Sequence, residues 1–338
     1  MTDIDISALR RDFIVQGSAA PIYRLDRAPL PPAALPCVIA IGAFDGVHRG
    51  HLDLLGHAVR DARARGIAAI AVTFEPDPDC VVTDRPAPKL TSPRDRCAAL
   101  ATSGVDGVLV VPFDEAVAAL DHAAFFERVL APALDIKSLH VGSDFRLGAG
   151  GASTVGDIAA WGIGRGIVVH GHPLLCDGEE PITSTRIRHL VSTGDLDAVE
   201  RELGRRYFVR GTVSPGRGEG SKMGFPTANI RLPRYIQRPC AGVYAGFALD
   251  GTAAWPAAIN VGIPPTFANK EGAAELEANF LGFTGDLYDE DISLLFCRQL
   301  RAQRRFDDMD ELVATIMGNI DDVRSLYGEQ KVELGFDF

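Results

Sequence analysis

Residues 38–55, VIAIGAFDGVHRGHLDLL, constrain the fold of this 338-residue chain more than any other stretch. Val38, Ile39, Ala40 and Ile41 form an apolar run suited to a buried strand, Gly42 ends it, and residues 43–47, including Phe44 and Asp45, make a short connection. From His48 to about Arg65 the apolar residues recur at helical spacing. Leu52, Leu55, Val59 and Ala62 share one face, and Gly66 stands where the helix should stop. A strand–glycine–helix unit aims unpaired backbone N–H groups and the positive end of the helix dipole at one point, which suits a phosphate. His48 and His51 are three residues apart and project from the same side of the first turn. Two imidazoles beside such a cradle suit a reaction in which negative charge grows on a phosphoryl group and its leaving oxygen. Gly42 ahead of the histidines and Gly50 between them favour a nucleotide site over a plain solvated helix start.

Alternating elements follow. Residues 67–74 read as a second buried strand, 94–103 as a helix and 107–113 as a third strand. Then come a helix at 122–130, a strand at 138–142, a helix at 158–164 and a strand at 167–172. This spacing predicts a parallel, doubly wound α/β sheet. Ligands of such sheets bind beyond the carboxyl ends of the strands, where Gly42, Phe74 and Gly142 fall. Residues 1–36 read as a lead-in: Ile14, Val15, Ile22 and Tyr23 offer a short strand, and Pro21, Pro29, Pro31, Pro32 and Pro36 an extended path. Two later pieces of this half carry chemistry. A glycine-rich loop at 142–148 contains Asp144 and Phe145, and residues 182–188 open a helix that Ser184 or Thr183 can cap. Hydroxyls and Arg188 at that helix start suit a phosphate.

Beyond a short helix at 195–204 the pattern changes to strands at 208–213, 241–249, 257–261, 275–281 and 291–300. An amphipathic helix at 310–327 closes the series, with Leu312, Ile316, Ile320 and Val323 toward a core. This predicts a small antiparallel barrel with a helical lid. A loop carrying Gly216, Gly218 and Gly224 would let backbone N–H groups approach phosphate oxygens. It leads into Pro226-Thr227-Ala228-Asn229; in an extended segment Thr227 and Asn229 share a face and offer a hydroxyl and an amide oxygen to a hard cation. Glu275, Glu277 and Asn279 share one face of a later strand, a pattern that on most strands is simply solvated.

Composition removes several classes of function. A net charge of -11 argues against a protein that wraps nucleic acid by bulk charge, and 46% hydrophobic residues can fill two cores. The six cysteines include no Cys-x-x-Cys pair, which argues against a zinc knuckle or disulfide framework and fits a reducing compartment with mostly buried or half-buried thiols. No apolar run approaches the roughly 20 residues of a membrane span, and the first residues do not form a signal peptide. The expectation is a cytoplasmic protein, monomeric or a weak homo-oligomer, with no nucleic-acid or membrane partner.

In the form GAFDGVHRGH, the first stretch resembles the His-x-Gly-His signature of nucleotidyltransferases as it occurs in bacterial bifunctional riboflavin kinase/FAD synthetases. Gly142-Ser143-Asp144-Phe145-Arg146-Leu147-Gly148 with Ser184-Thr185-Arg186-Ile187-Arg188 resembles that family's flavin-module pattern. The PTAN run at 226–229, Asn260-Val261-Gly262-Ile263-Pro264-Pro265-Thr266-Phe267 and Phe283-Thr284-Gly285-Asp286-Leu287-Tyr288 resemble its kinase segments. The resemblance spans about 38–327. It implies a Rossmann-like α/β nucleotidyltransferase domain over 37–194, then a small antiparallel β-barrel riboflavin kinase domain with a carboxyl-terminal helix over 195–338. It implies riboflavin, FMN, FAD and ATP as substrates and products, with Mg2+. It also implies Glu277, His48 and His51 as catalytic, the histidines mainly as charged donors. Nucleotide contacts would fall on Gly42, Phe44, Asp45, Gly50, Ser184, Thr185, Arg188, Gly216, Gly218, Gly224 and Pro226. Flavin contacts would fall on Asp144 and Phe145, and metal contacts on Thr227 and Asn229. The chain departs from the pattern at Pro76-Asp77-Pro78, where Pro-His-Pro is usual, and at Ala149-Gly150-Gly151, where a basic residue is common. Ser221 replaces a frequent arginine and Asn279 a frequent histidine. The alternatives are a riboflavin kinase with a weak or re-aimed transferase module, and a non-catalytic flavin-nucleotide binder.

Overall fold

The computed structural model describes residues 4–15, 19–27, 35–216, 225–262 and 276–335. The chain divides into two compact units, Ser18–Ser184 and a second joining Met1–Gly17 to Thr185–Phe338.

In the first unit six strands, β1 (Ile22–Arg24), β2 (Leu35–Ile41), β3 (Ala68–Glu75), β4 (Gly107–Pro112), β5 (Leu134–Gly142) and β6 (Val168–His172), form one sheet in the order β1-β4-β3-β2-β5-β6. Every pairing is parallel, as the alternation of elements predicts. Parallel strands covered on both faces bury nearly every side chain, and the six central residues of β3 are all buried. Ile70, Val72, Leu109, Val111, Leu139 and Ile158 share one core cluster. Because the strands run the same way, the residues following β2, β3 and β5 collect at one edge of the sheet. A two-strand hairpin, β7 (Cys176–Asp177) with β8 (Glu180–Pro181), precedes the end of this unit.

The Arg49–Arg65 helix starts at its cap His48 and stops at Gly66, whose φ of 67° is the left-handed conformation glycine tolerates. Its buried residues are Leu55, Ala58 and Ala62. Leu52 is 39% exposed, contrary to the expected apolar face, because the buried arc centres between Leu55 and Ala58 and leaves Leu52 and Val59 on its flank. The helix expected at 122–130 is α-helical only over His122–Ala124 and widens to a π-helix at Phe125–Leu130. Widening the turn lets the adjacent rings of Phe125 and Phe126 both enter the core, each 2% exposed.

The second unit is the expected antiparallel barrel. β9 (Tyr207–Ser214), β10 (Ala228–Arg231), β11 (Gly242–Asp250), β12 (Ala253–Val261), β13 (Leu276–Phe280) and β14 (Asp291–Ala302) pair in the order β11-β14-β9-β10-β13-β12, and β11–β12 pairing closes the circle. Closure removes the exposed sheet edges. A short β15 (Val332–Glu333) pairs with β12, and the Met309–Tyr327 helix packs Ile320 and Val323 against Phe225, Ala245 and Leu281.

The amino-terminal residues are not a uniform lead-in. Ile22–Arg24 is a strand, on β4, while Ile14 takes a left-handed φ of 58°. The Ile6–Asp12 helix belongs to the barrel unit. Leu9 and Phe13, each 1% exposed, cluster with Phe208, Phe247, Leu295 and Leu334, and fully buried Asp12 accepts a hydrogen bond from Arg206 N at 3.1 Å. All six cysteines are free: Cys37 and Cys97 are buried, Cys240 and Cys297 half-buried, and Cys80 and Cys176 exposed.

Candidate active sites

In the first unit the connection after β2 is built around backbone that few residues adopt. Phe44, Gly46 and Val47 have φ of 55°, 82° and 42°, and the tight path returns the chain to the helix start at His48. His48, 4% exposed, caps the helix: its Nδ1 accepts from His51 N at 3.3 Å, which leaves the ring proton on Nε2 as a donor. The His51 ring stacks on it with centroids 3.6 Å apart and meets Phe44 edge-on at 5.2 Å. Gly50 is closely packed: a Cβ there would stand 3.2 Å from the His48 ring and 3.4 Å from the Ile182 carbonyl oxygen. Gly42 lies under the Phe44 ring, 3.4 Å from where its Cβ would be.

Burial first, and the adjacent His48 imidazole second, hold the His51 imidazole well below the usual histidine range. Burial therefore disfavours a second charge on this ring. Two unit charges at about 4 Å repel by about 4 kcal/mol at an effective dielectric of about 20, a cost avoided when His51 stays neutral. Its Nδ1 is sealed from solvent and has no hydrogen-bond partner among the described residues.

Asp45 is buried, and its Oδ1 accepts from Leu90 N at 2.8 Å and Thr91 N at 3.4 Å, so it shapes the cradle by holding a neighbouring loop. Ser184 Oγ donates to the Asp45 carbonyl at 2.8 Å. The Ser184–Thr193 helix continues into the second unit with Thr185, whose Oγ1 accepts from Arg188 Nη2 at 2.9 Å. Asp144 is exposed after β5, and Gly142 makes room for its carboxylate, 2.9 Å from a hypothetical Cβ. Phe145 is half-buried against the core.

The departure at Asp77 has a physical answer. Asp77 and Arg96 form an ion pair with 7% and 1% side-chain exposure, and Arg96 Nη2 also donates to the Phe74 carbonyl at 2.6 Å. The negative charge is therefore matched locally. In the Ala149–Gly151 turn, Gly150 and Gly151 have φ of 62° and 65°, a conformation that a basic side chain would adopt only with strain.

In the barrel, register brings together residues far apart in the chain. Asn229 on β10 lies directly opposite Glu277 on β13, and Glu277 lies directly opposite Asn260 on β12. Ser214 on β9 pairs with Asn229 on its other side. Directly opposed residues of antiparallel strands face the same way, so these four form a polar row across the barrel wall. Gly216 is the seat of the Asn229 side chain: a Cβ there would fall 1.7 Å from Asn229 Nδ2. Asn279 Nδ2 donates to the Pro226 carbonyl at 2.7 Å, which ties the strand carrying Glu277 to the residue before Thr227. Gln303 Nε2 donates to Asn260 Oδ1 at 3.0 Å. Gly218, Gly224, Glu275 and the Ile263-to-Phe267 part of the kinase-like segment lie outside the described residues. Asn260 and Gln303 were not singled out from sequence; the motif containing Asn260 was visible, but its place beside Glu277 depends on register.

Comparison with known proteins agrees with this division. The family model described as FAD synthetase matches residues 31–186, and the one described as riboflavin kinase matches 203–327. A bifunctional riboflavin kinase/FMN adenylyltransferase of Escherichia coli K12 is 35% identical over 312 residues, covering 92% of this chain and 97% of the relative. The chain belongs to the bifunctional riboflavin kinase/FMN adenylyltransferase family. Relatives of the same name in Pseudomonas fluorescens and Bacillus subtilis are 34% and 30% identical, over 88% and 82% of this chain and 95% and 89% of theirs. The family's architecture also extends to a crystal structure from Streptococcus pneumoniae bearing the name macrolide-efflux protein. That structure is 26% identical, with a TM-score of 0.75, covering 90% of this chain and 98% of its own. Among the described residues of this family member, no helix is long and apolar enough to cross a membrane.

Proposed function

We propose that this chain carries out two successive transfers from ATP: phosphorylation of riboflavin to FMN in the barrel unit, and adenylylation of FMN to FAD in the parallel-sheet unit. The observation that carries the reading is the register setting Glu277 against Asn229, in a unit separate from the one that stacks His48 on His51.

In the first reaction Glu277 accepts the proton of the ribityl 5′-hydroxyl. That oxygen bonds to the γ-phosphorus of ATP, and the bond to ADP breaks. The register partners of Glu277, Asn229 and Asn260, carry amide oxygens, and oxygen ligands fit a hard cation. Thr227 and Asn229 would hold Mg2+, which when bound supplies positive charge against the ATP phosphates, and Glu277 takes the proton. Gly216, with Gly218 and Gly224, gives the loop close approach to those phosphates, and Pro226 sets the direction of the strand.

In the second reaction an oxygen of the FMN phosphate attacks the α-phosphorus of a second ATP, and pyrophosphate leaves. His48 donates from Nε2 to the growing negative charge, and His51 acts as its neutral, stacked neighbour. Gly42, Phe44, Asp45 and Gly50 shape the cradle. Ser184, Thr185 and Arg188 at their helix start are assigned to ATP phosphates, and Asp144 and Phe145 to the flavin. The six free thiols and the use of ATP suit the cytoplasm.

Chromatography of products tests this. Purified protein with ATP and Mg2+ should form FAD from riboflavin, passing through FMN, and FAD from FMN directly. His48→Ala should abolish only the second step and Glu277→Ala only the first. FMN from riboflavin with no FAD from FMN would mean a lapsed or re-aimed transferase, and no product from either flavin would leave a flavin-nucleotide binder. The ground for a weak transferase at Asp77 is reduced by its pairing with Arg96.

A further inference from the structure

A second group of histidines stands in the first unit, apart from His48 and His51. β5 and β6 set His140 directly opposite His170, with ring centroids 4.6 Å apart. Asp61 reaches them from the Arg49–Arg65 helix, ten residues beyond His51 and so about 15 Å along the helix axis. Its Oδ2 lies 3.2 Å from His140 Nε2, while its Oδ1 accepts from Arg65 Nε at 2.7 Å. His140 is 4% exposed, and its Nδ1 meets His172 Nε2 at 2.9 Å. One ligand atom from each of Asp61, His140 and His170 lies within 4.8 Å of the others. Nε2 of His170 is sealed from solvent with no hydrogen-bond partner among the described residues, an arrangement proteins avoid unless something else occupies the gap. Neither transfer reaction uses these residues.

We propose that Asp61, His140 and His170 bind one divalent transition-metal ion of the zinc class. Two imidazoles and a carboxylate without thiolate suit Zn2+, whereas Mg2+ prefers an all-oxygen shell. Donors about 2.0–2.1 Å from a tetrahedral ion stand roughly 3.3–3.5 Å from one another, a spacing that small side-chain rotations reach from the present one. Three protein ligands leave a fourth position for water. The outer contacts are those a metal site needs. Arg65 holds the second oxygen of Asp61, and His140, ligating through Nε2, donates its Nδ1–H to His172. The His172 ring stacks on His57 at 4.2 Å. The ion ties the helix carrying His48 and His51 to β5, the strand that leads into loop 142–148. The site stands independently of the proposed reactions.

The test uses full-length protein stripped by a chelator and given Zn2+ alone, without nucleotide or flavin. Calorimetric titration should show one equivalent bound, with an increase in melting temperature that Mg2+ does not produce. His170→Gln and Asp61→Asn should each weaken Zn2+ by more than the roughly 10–100-fold that outer-shell changes cost. Circular dichroism and melting of the metal-free variants establish that they fold. Co2+ in the wild-type protein should give the intense visible bands of a low-coordinate site, and X-ray absorption of the zinc form should show only nitrogen and oxygen neighbours. These last two readouts decide the matter even if a variant fails to fold. No bound equivalent, unchanged affinity in both folded variants, or sulfur in the first shell (from exposed Cys80 or Cys176, for instance) would overturn the proposal.

Discussion

Gly216 and His51 are single positions at which the proposed chemistry of each unit can be tested. A methyl group at Gly216 would meet the end of the Asn229 side chain, which can rotate away, so stability should change little while the amide leaves its place beside Glu277. Gly216→Ala is expected to lower kcat/KM for riboflavin phosphorylation by about 10–100-fold, the usual effect of losing a supporting contact. Conversion of FMN to FAD, assayed on the same sample, should be unaffected. His51 makes a different prediction. Its folded-state affinity for protons is depressed by burial, so the unfolded chain takes up a proton first as pH falls. The stability contributed by keeping this ring neutral is fully present above about pH 6.5 and is lost as pH falls below it. Melting curves from pH 7.5 downward should therefore decline more steeply for wild type than for His51→Gln. His140 is shifted the same way, to about 4 by burial ahead of its neighbours, so the difference between the two proteins is the measurement that isolates His51. An identical slope would mean that His51 is not held neutral.

The Ile6–Asp12 helix is short and would not persist alone, since isolated helices of this length are marginal in water. It is held by Leu9 and Phe13 against the barrel and by Asp12 against Arg206. Phe13→Ala should cost about 3–5 kcal/mol, read as a lower urea midpoint for kinase loss, with the parallel-sheet unit retaining its own transition. Equal loss in both units would contradict the division. This element also marks the limit of what the sequence discloses. The Arg49–Arg65 helix was legible because everything that defines it is local: a cap at His48, apolar residues at helical spacing and Gly66 at the stop. The Ile6–Asp12 helix was not legible, because its partners Phe208, Phe247 and Leu334 lie far along the chain, beyond the whole parallel-sheet unit.

At the scale of the whole molecule, the alternation of strands and helices followed by strands alone was enough to read a parallel sheet and then a barrel. Register was not. The row Asn229, Glu277 and Asn260 depends on which strands become neighbours, and so does the meeting of Asp61, His140 and His170. The motif residues named the chemistry, while the supporting contacts, Arg96 for Asp77 and Gly216 for Asn229, required coordinates. The division of the chain also has a consequence for synthesis. Asp12 and Arg206 are 194 residues apart, with the whole parallel-sheet unit between them. A ribosome adding about 5–20 residues per second leaves the Ile6–Asp12 helix waiting on the order of 10–40 s for the strand it packs against. During that interval the sheet unit can complete its fold, but Leu9 and Phe13 have no native surface to cover them. The nascent chain thus carries an uncovered apolar segment through most of its own translation, which makes these few early residues the place where chaperone capture and aggregation compete.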